Sequence, residues 1–223
     1  MIIDYKIITI SNFTKNELCH YYPRYCDKIS VIYNGINHNF KVDEKVEKKD
    51  FILYVGSLNP RKNFVNLIKA HSKLKSSVKL VIVGNFSDNF RLSLDEKEIL
   101  KKARENKNII FKQNLNQSEL ITLYQEAKVF VYPSFYEGFG IPPVEAMACG
   151  TPLIVSEYSA MQEVCLDGAL YIDPQNIEDI KEKIQMLLSD KDLQKRLIKN
   201  GLKRAKLFNW KYIAKEHIDI IRD

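Results

Sequence analysis

Ser134 to Pro152 read SFYEGFGIPPVEAMACGTP, and the runs on either side, KVFVYP (128–133) and PLIVS (152–156), are apolar and β-branched. A buried run, a glycine-bearing loop, a stretch of small residues and a second buried run spell strand, loop, helix and strand. In an open parallel sheet such a loop lies at the carboxyl end of a strand, where the next helix presents unpaired N–H groups that favour anions. Glu137 and Glu145, eight positions apart around the two glycines and two prolines, are therefore candidates for contact with a ligand.

The chemistry of the stretch supports that placement. Gly138 and Gly140 let backbone approach a ligand closely, and Pro142 and Pro143 suit the first turn of the helix that carries Glu145. Glu145 heads the run EAMACG, whose Ala146, Ala148 and Gly150 imply close packing. A carboxylate there is a poor core residue unless it has a partner, and the adjacent hydroxyls of a ribose would be one. Glu137 is placed to accept hydrogen bonds from sugar hydroxyls, with backbone amides from Phe139 to Ile141 completing a cradle.

Working outward, short apolar runs alternate with amphipathic ones along most of the chain. Expected strands are YKIITIS, KISVIYN, FILYVGS, VKLVIVG, NIIFKQ, KVFVYP, PLIVS and ALYID, and NFVNLIKAHSKLK, LDEKEILKKARE and QSELITLYQEA are expected helices between them. The pattern predicts an α/β fold, a Rossmann-like parallel sheet flanked by helices, with a wholly helical segment from Ile177 onward. Ser93, Ser118 and Ser159 are the expected N-caps, Ser93 with Glu96 at capping-box spacing. Two further strand ends are candidates. YVGSLNPRKN sets Gly56, Ser57, Arg61 and Lys62 ahead of a helix, and VIVGNFSDN ends a buried strand at Gly84. Gly84 reads first as a chain reversal and Arg61 and Lys62 first as surface charges; their common position at strand ends gives them a shared meaning.

Composition sets limits. With 223 residues, 45% hydrophobic and 11% aromatic, the chain is long enough for one large domain or two small ones. No apolar run approaches the roughly 20 residues that cross a bilayer, and Asp4 and Lys6 interrupt the opening run, which argues against a signal peptide and for a cytoplasmic protein. Cys19, Cys26, Cys149 and Cys165 show no metal or redox spacing and are expected to be four free thiols. The net charge of +6 gathers in KDLQKRLIKNGLKRAK (191–206), a helix with Leu193, Leu197, Leu202 and Leu207 facing partly inward. It reads as a solvated helix face, with contact to an anionic membrane surface as the second reading, since each Lys or Arg gains about 1 kcal/mol there. No aromatic and basic interleaving accompanies the charge, so nucleic acid is not an expected partner.

Glu137 and Glu145 also carry a resemblance. They reproduce the E-x7-E motif of the retaining, GT-B fold glycosyltransferases of family 4 (group 1), in the setting P-S-x-x-E-G-F-G-x-x-x-x-E-A-M-A-x-G-T-P. NPRKN resembles that family's donor-diphosphate loop, QSELITLYQEAKVFVYPS its stretch from helix into strand, VSEYSAMQEV its S-x-x-S-x-x-x-E-V segment and LDGALYIDPQN its G-x-A-x-x-x-D-P. The resemblance implies that Lys62 and Arg61 neutralise the departing diphosphate, that Glu145 holds the ribose, and that Glu137 with Gly138, Phe139 and Gly140 holds sugar and phosphate. It implies electrostatic catalysis with no metal and no cofactor. Many members carry Arg directly after the first-loop glycine; here that residue is Ser57, and Arg61 is expected to supply the charge.

The same resemblance orders the chain. Residues 1–27 resemble the last strand and helix of an N-terminal acceptor domain, 28–208 a nucleotide-sugar-binding domain, and 209–223 a final helix that crosses back. The family has two Rossmann-like halves, each within the usual domain size of about 100 to 200 residues. The chain is thus expected to be the donor half, as a fragment, a truncated product or one subunit of a split enzyme with a separate N-terminal partner. The implied ligands are a nucleoside-diphosphate sugar, GDP-mannose first and a UDP-sugar second, and a glycan or lipid-linked acceptor at the inner face of a membrane. The alternative is a non-catalytic nucleotide-sugar-binding module.

Overall fold

A computed structural model describes residues 6–85 and 92–222. The chain opens with β1 (Ile7–Thr9), α1 (Asn12–Tyr21) and β2 (Ile29–Val31), and β1 and β2 pair in parallel as a small separate sheet. Then follow β3 (Lys49–Val55), α2 (Phe64–Ser72), β4 (Lys79–Val83), α3 (Leu94–Glu105), β5 (Ile109–Lys112), α4 (Gln117–Glu126) and β6 (Ala127–Tyr132). After them come α5 (Ile141–Ala148), β7 (Leu153–Ser156), α6 (Met161–Cys165) and β8 (Ala169–Ile172), and the last three elements are α7 (Ile177–Ser189), α8 (Lys191–Ala205) and α9 (Trp210–Arg222). All eight expected strands form.

Six strands make one parallel sheet in the order β5-β4-β3-β6-β7-β8. Period-2 alternation builds a core on each face: Phe51 and Leu53 of β3 join one apolar cluster, and Ile52 and Tyr54 join the other. Helices cover both faces because neither face carries polar residues that could meet water. From β3 the chain first extends the sheet to one side through β4 and β5, then returns to the other side with β6. The loops after β3 and β6 therefore leave the sheet at its topological switch point, the place where open α/β sheets bind ligands.

Several expectations need correction. Cys19 and Cys26 are joined in a disulfide, because the 3-10 turn Pro23–Lys28 folds the chain back beside α1 and brings their Cα atoms to 4.9 Å; Cys149 and Cys165 are free and buried. The N-cap of α4 is Asn116, two residues before Ser118: its side chain accepts from the Glu119 N–H and its N–H donates to Glu119, a complete capping box. Ser118 instead donates to Asn116 Oδ1. Ser159 does not cap α6, which starts after Ala160. Ser93 caps α3 with Glu96 as expected. On α8, Leu193 and Leu197 are buried and the inward stripe continues through Gly201 and Ala205, whereas Leu207 lies beyond the end of the helix and is exposed. Among the described residues no helix is long and apolar enough to cross a membrane.

Candidate functional site

The loop after β3 is shaped by backbone packing. The Gly56 N–H donates to Val83 O at 2.8 Å, and a Cβ placed on Gly84 would lie 2.0 Å from Gly56 O. Gly84 is thus required by the approach of two strand ends. The rest of its loop, Phe86 to Arg91, lies outside the described residues. Ser57 contributes its carbonyl, which accepts from Tyr54 Oη at 3.1 Å.

Next comes a 3-10 turn, Pro60–Lys62, opened by Asn59, whose side chain accepts from the Arg61 N–H at 2.9 Å. Asn63 closes it in the left-handed region, with φ 56°, a conformation Asn tolerates better than most residues. The buried Asn63 amide donates to Pro133 O at 2.9 Å and Pro174 O at 2.7 Å, so it ties the exit of β3 to the exits of β6 and β8. The Phe135 N–H donates to Arg61 O at 2.9 Å, which locks the β3 and β6 loops together.

This scaffold brings Arg61, Lys62 and Glu137 into contact. Lys62 Nζ lies 2.6 Å from Glu137 Oε1 and 2.6 Å from Tyr132 Oη, and Arg61 Nη1 lies 3.2 Å from the same carboxylate oxygen. Arg61 also donates to Tyr136 O. Tyr132 Oη donates to Glu137 Oε1 at 3.1 Å. Burial first, and then the Glu137 carboxylate, push the Tyr132 phenol far above its ordinary pKa, so it stays a hydrogen donor. Tyr54 stacks behind Tyr132 at 6.5 Å between ring centroids. Glu137 is only 6% exposed. Two cations against one carboxylate leave the trio one positive charge in excess, available to an anion.

The glycine loop is anchored from several sides. The Glu137 N–H donates to Ser159 Oγ at 3.0 Å, and Glu137 O accepts from the Ala160 N–H. Thr14 Oγ1 donates to Gly138 O at 3.4 Å. The Phe139 side chain is buried against Tyr33 and Phe208, so only its backbone is free to face a ligand. Gly140 has φ 87° and a Cβ there would meet Met161 Cε at 2.5 Å, so glycine is needed on both counts. Pro142 and Pro143 have no N–H, which leaves Gly138 to Ile141 as the backbone donors at this helix start.

Glu145 is the fifth residue of α5 and lies apart from the Lys62 cluster in its bonding. Its Oε2 accepts from Tyr124 Oη at 3.0 Å. Burial raises its pKa above the ordinary carboxylate value, and the Tyr124 hydrogen bond opposes that rise. A cleft of about 580 Å³ opens beside Arg61, with Asn63, Phe64, Lys69 and Phe135 on its walls; neither Glu137 nor Glu145 lines it.

The sequence assigns no role to Tyr132, Tyr124 or Asn63, and it points Ser159 to a helix cap where the structure has it accept from the Glu137 N–H. A tyrosine in an apolar strand or helix reads as core, and its hydroxyl partner lies far along the chain. Asn63 carried a usable signal, since an Asn between a Pro-containing turn and a helix suits a left-handed residue.

The six-stranded parallel sheet, with Arg61, Lys62 and Glu137 gathered at its switch point, is an α/β domain of the GT-B type. The chain belongs to the glycosyl transferases group 1, whose family model matches residues 36–204. It is 34% identical over 215 residues to the O-antigen chain mannosyltransferase RfbU of Salmonella typhimurium, covering 90% of this chain and 60% of that protein. It is 29% identical over 230 residues to the O-antigen chain mannosyltransferase B of Escherichia coli, covering 96% and 59%. Sucrose-phosphate synthase from Thermosynechococcus elongatus superposes with a TM-score of 0.82 at 26% identity, over 96% of this chain and 57% of that one. The chain thus spans about three fifths of the length of these relatives.

Proposed function

We propose that the chain is the donor-binding half of a glycosyltransferase that takes a hexose, mannose before others, from a nucleoside-diphosphate sugar with retention of configuration during surface polysaccharide synthesis. The observation that carries this reading is the clamp of Arg61 and Lys62 on Glu137 at the switch point, with its one excess positive charge. When the sugar leaves, negative charge builds on the departing diphosphate. Cations already held in place stabilise that charge without reorganisation, and removing one such contact costs about 100- to 1,000-fold in rate.

Glu137 binds both cations. A diphosphate therefore has to share them, which turns part of the carboxylate toward the sugar that the diphosphate carries. Glu145, whose raised pKa marks it as poorly solvated, gains most from ribose hydroxyls that replace the lost water. Preference for mannose rests on the names of the two O-antigen relatives. GDP-mannose is accordingly the first donor to test and a UDP-sugar the second, with a glycan or lipid-linked acceptor. The basic exposed face of α8 suits work beside an anionic membrane.

A thermal-shift screen of GDP, UDP, ADP and their sugar conjugates tests the reading. A ligand at 100 times its Kd stabilises the native state by about 2.7 kcal/mol, a rise of roughly 5 to 10 °C for a domain of this size. No shift with any of them contradicts the donor site. A module that only binds would give the same shift, and release of nucleoside diphosphate from the donor that binds separates the enzyme from it.

A further inference from the structure

Tyr124 and Glu145 form a pair distinct from the Lys62 cluster. Tyr124 lies on α4, fully buried, with its ring set against Phe40 at 5.9 Å and Phe130 at 5.5 Å between centroids. Its carbonyl accepts from the buried Thr151 hydroxyl, so backbone and ring are both held. Its phenol donates to Glu145 Oε2 at 3.0 Å, and among the described residues no other donor reaches that carboxylate. Glu137 Oε1, by contrast, receives Lys62, Arg61 and Tyr132 together.

A glutamate has three side-chain torsions, and a single rigid donor on one oxygen fixes where the other oxygen points. We infer that Tyr124 is a positioning residue: it holds Oε2 of Glu145 so that the carboxylate presents its remaining acceptor sites to the two adjacent hydroxyls of the donor's ribose. This rests on the reading of Glu145 given above. The electrostatics agree with the geometry. Burial and then Glu145 push the Tyr124 phenol well up, which keeps it a donor, and its hydrogen bond draws the Glu145 pKa back down. The other titratable groups packed here hold one charge state through the acidic range: Cys149, pushed up to about 12 by burial and Glu145, Tyr132 from β6, and Lys48, which burial brings down to about 8 and which faces Cys149.

The test is calorimetry of the wild type and Tyr124→Phe with GDP and UDP and with the 2′,3′-dideoxy analogues of each. The Phe variant keeps the ring and its packing, and its melting curve reports whether the fold holds. The expected result is a loss of about tenfold, the worth of a hydrogen bond to a charged group, for the ribonucleotide, with the dideoxy analogue unchanged. The pH at which ribonucleotide affinity disappears on acidification should also rise, because Glu145 loses the bond that lowers its pKa. In a Glu145→Gln background, Tyr124→Phe should change ribose discrimination no further. Equal losses for both nucleotide types with an unmoved pH profile would assign Tyr124 to packing alone and overturn the proposal. A wild type that binds ribo- and dideoxynucleotides equally would overturn the ribose reading of Glu145, and the role of Tyr124 with it.

Discussion

Lys62 Nζ and Glu137 Oε1, 75 residues apart in the chain, meet at 2.6 Å where the loops after β3 and β6 leave the sheet. The pair is partly to well buried, with 15% of the Lys62 and 8% of the Glu137 side chain exposed, so water screens it weakly. It braces the loop after β3 against the loop after β6.

Lys62→Ala is therefore expected to weaken nucleoside diphosphate binding roughly 10- to 100-fold, the range for a charge-assisted hydrogen bond, while leaving the plain nucleoside almost untouched. Competition calorimetry with the diphosphate and the nucleoside checks this. Equal loss for both would make Lys62 a structural residue.

Glu145→Gln should separate stability from binding. The folded-state pKa of Glu145 is raised, so between the ordinary carboxylate value and that raised value the native state holds more proton than the unfolded chain. Stability therefore falls as pH rises through this window. At neutral pH the Gln variant, which has no charge to bury, should melt higher than wild type without ligand, yet bind ribonucleotide about tenfold or more weakly. A melting temperature that drops at pH 7 would contradict this.

Glu163 has the opposite sign. It accepts from the N–H groups of Asn12 and Phe13 at the start of α1, from the Asn12 side chain and from Tyr33 Oη. Burial pushes its pKa up, but these hydrogen bonds outweigh burial and the pKa is lowered. Its stabilisation is present above the ordinary carboxylate pKa and is lost as pH falls through the lowered value. Glu163→Ala should cost about 1 kcal/mol, the size of a lost helix cap, and raise amide exchange over 12–15 in particular. Exchange that rises evenly over the whole chain would remove the local role.

Gly84→Ala should destabilise by about 3 kcal/mol, the upper range for overpacking, because its Cβ would press on backbone rather than on a side chain that can turn away. The denaturation midpoint measures this, and a change within experimental error would show that the two strand ends are free to separate.

Much of this arrangement was legible in sequence, for reasons that particular residues show. The strands stood out because Ile52, Leu53, Val81, Ile82, Val129 and Phe130 fall in short β-branched or aromatic runs. Arg61, Lys62 and Glu137 stood out through their position after such runs, although nothing in the spacing of 62 and 137 says that they touch; that follows from β3 and β6 being neighbours. The Cys19–Cys26 bridge was hidden because a spacing of seven has no signature, and only the turn Pro23–Lys28 brings the two Cα atoms to 4.9 Å. Asn116 and Ser118 compete as caps in sequence, and the reciprocal bond from Glu119 decides for Asn116. The hydroxyls of Tyr124 and Tyr132 were invisible because a buried tyrosine looks like a buried phenylalanine until its partner is placed.

The most direct measurement is a crystal structure of the chain soaked with the nucleoside diphosphate that gives the largest thermal shift. The account predicts diphosphate oxygens within hydrogen-bond distance of Lys62 and Arg61, ribose hydroxyls on Glu145, and the Lys62–Glu137 contact lengthened to admit the ligand. A nucleotide bound away from Lys62 and Glu145, with the Lys62–Glu137 pair unchanged, would contradict it.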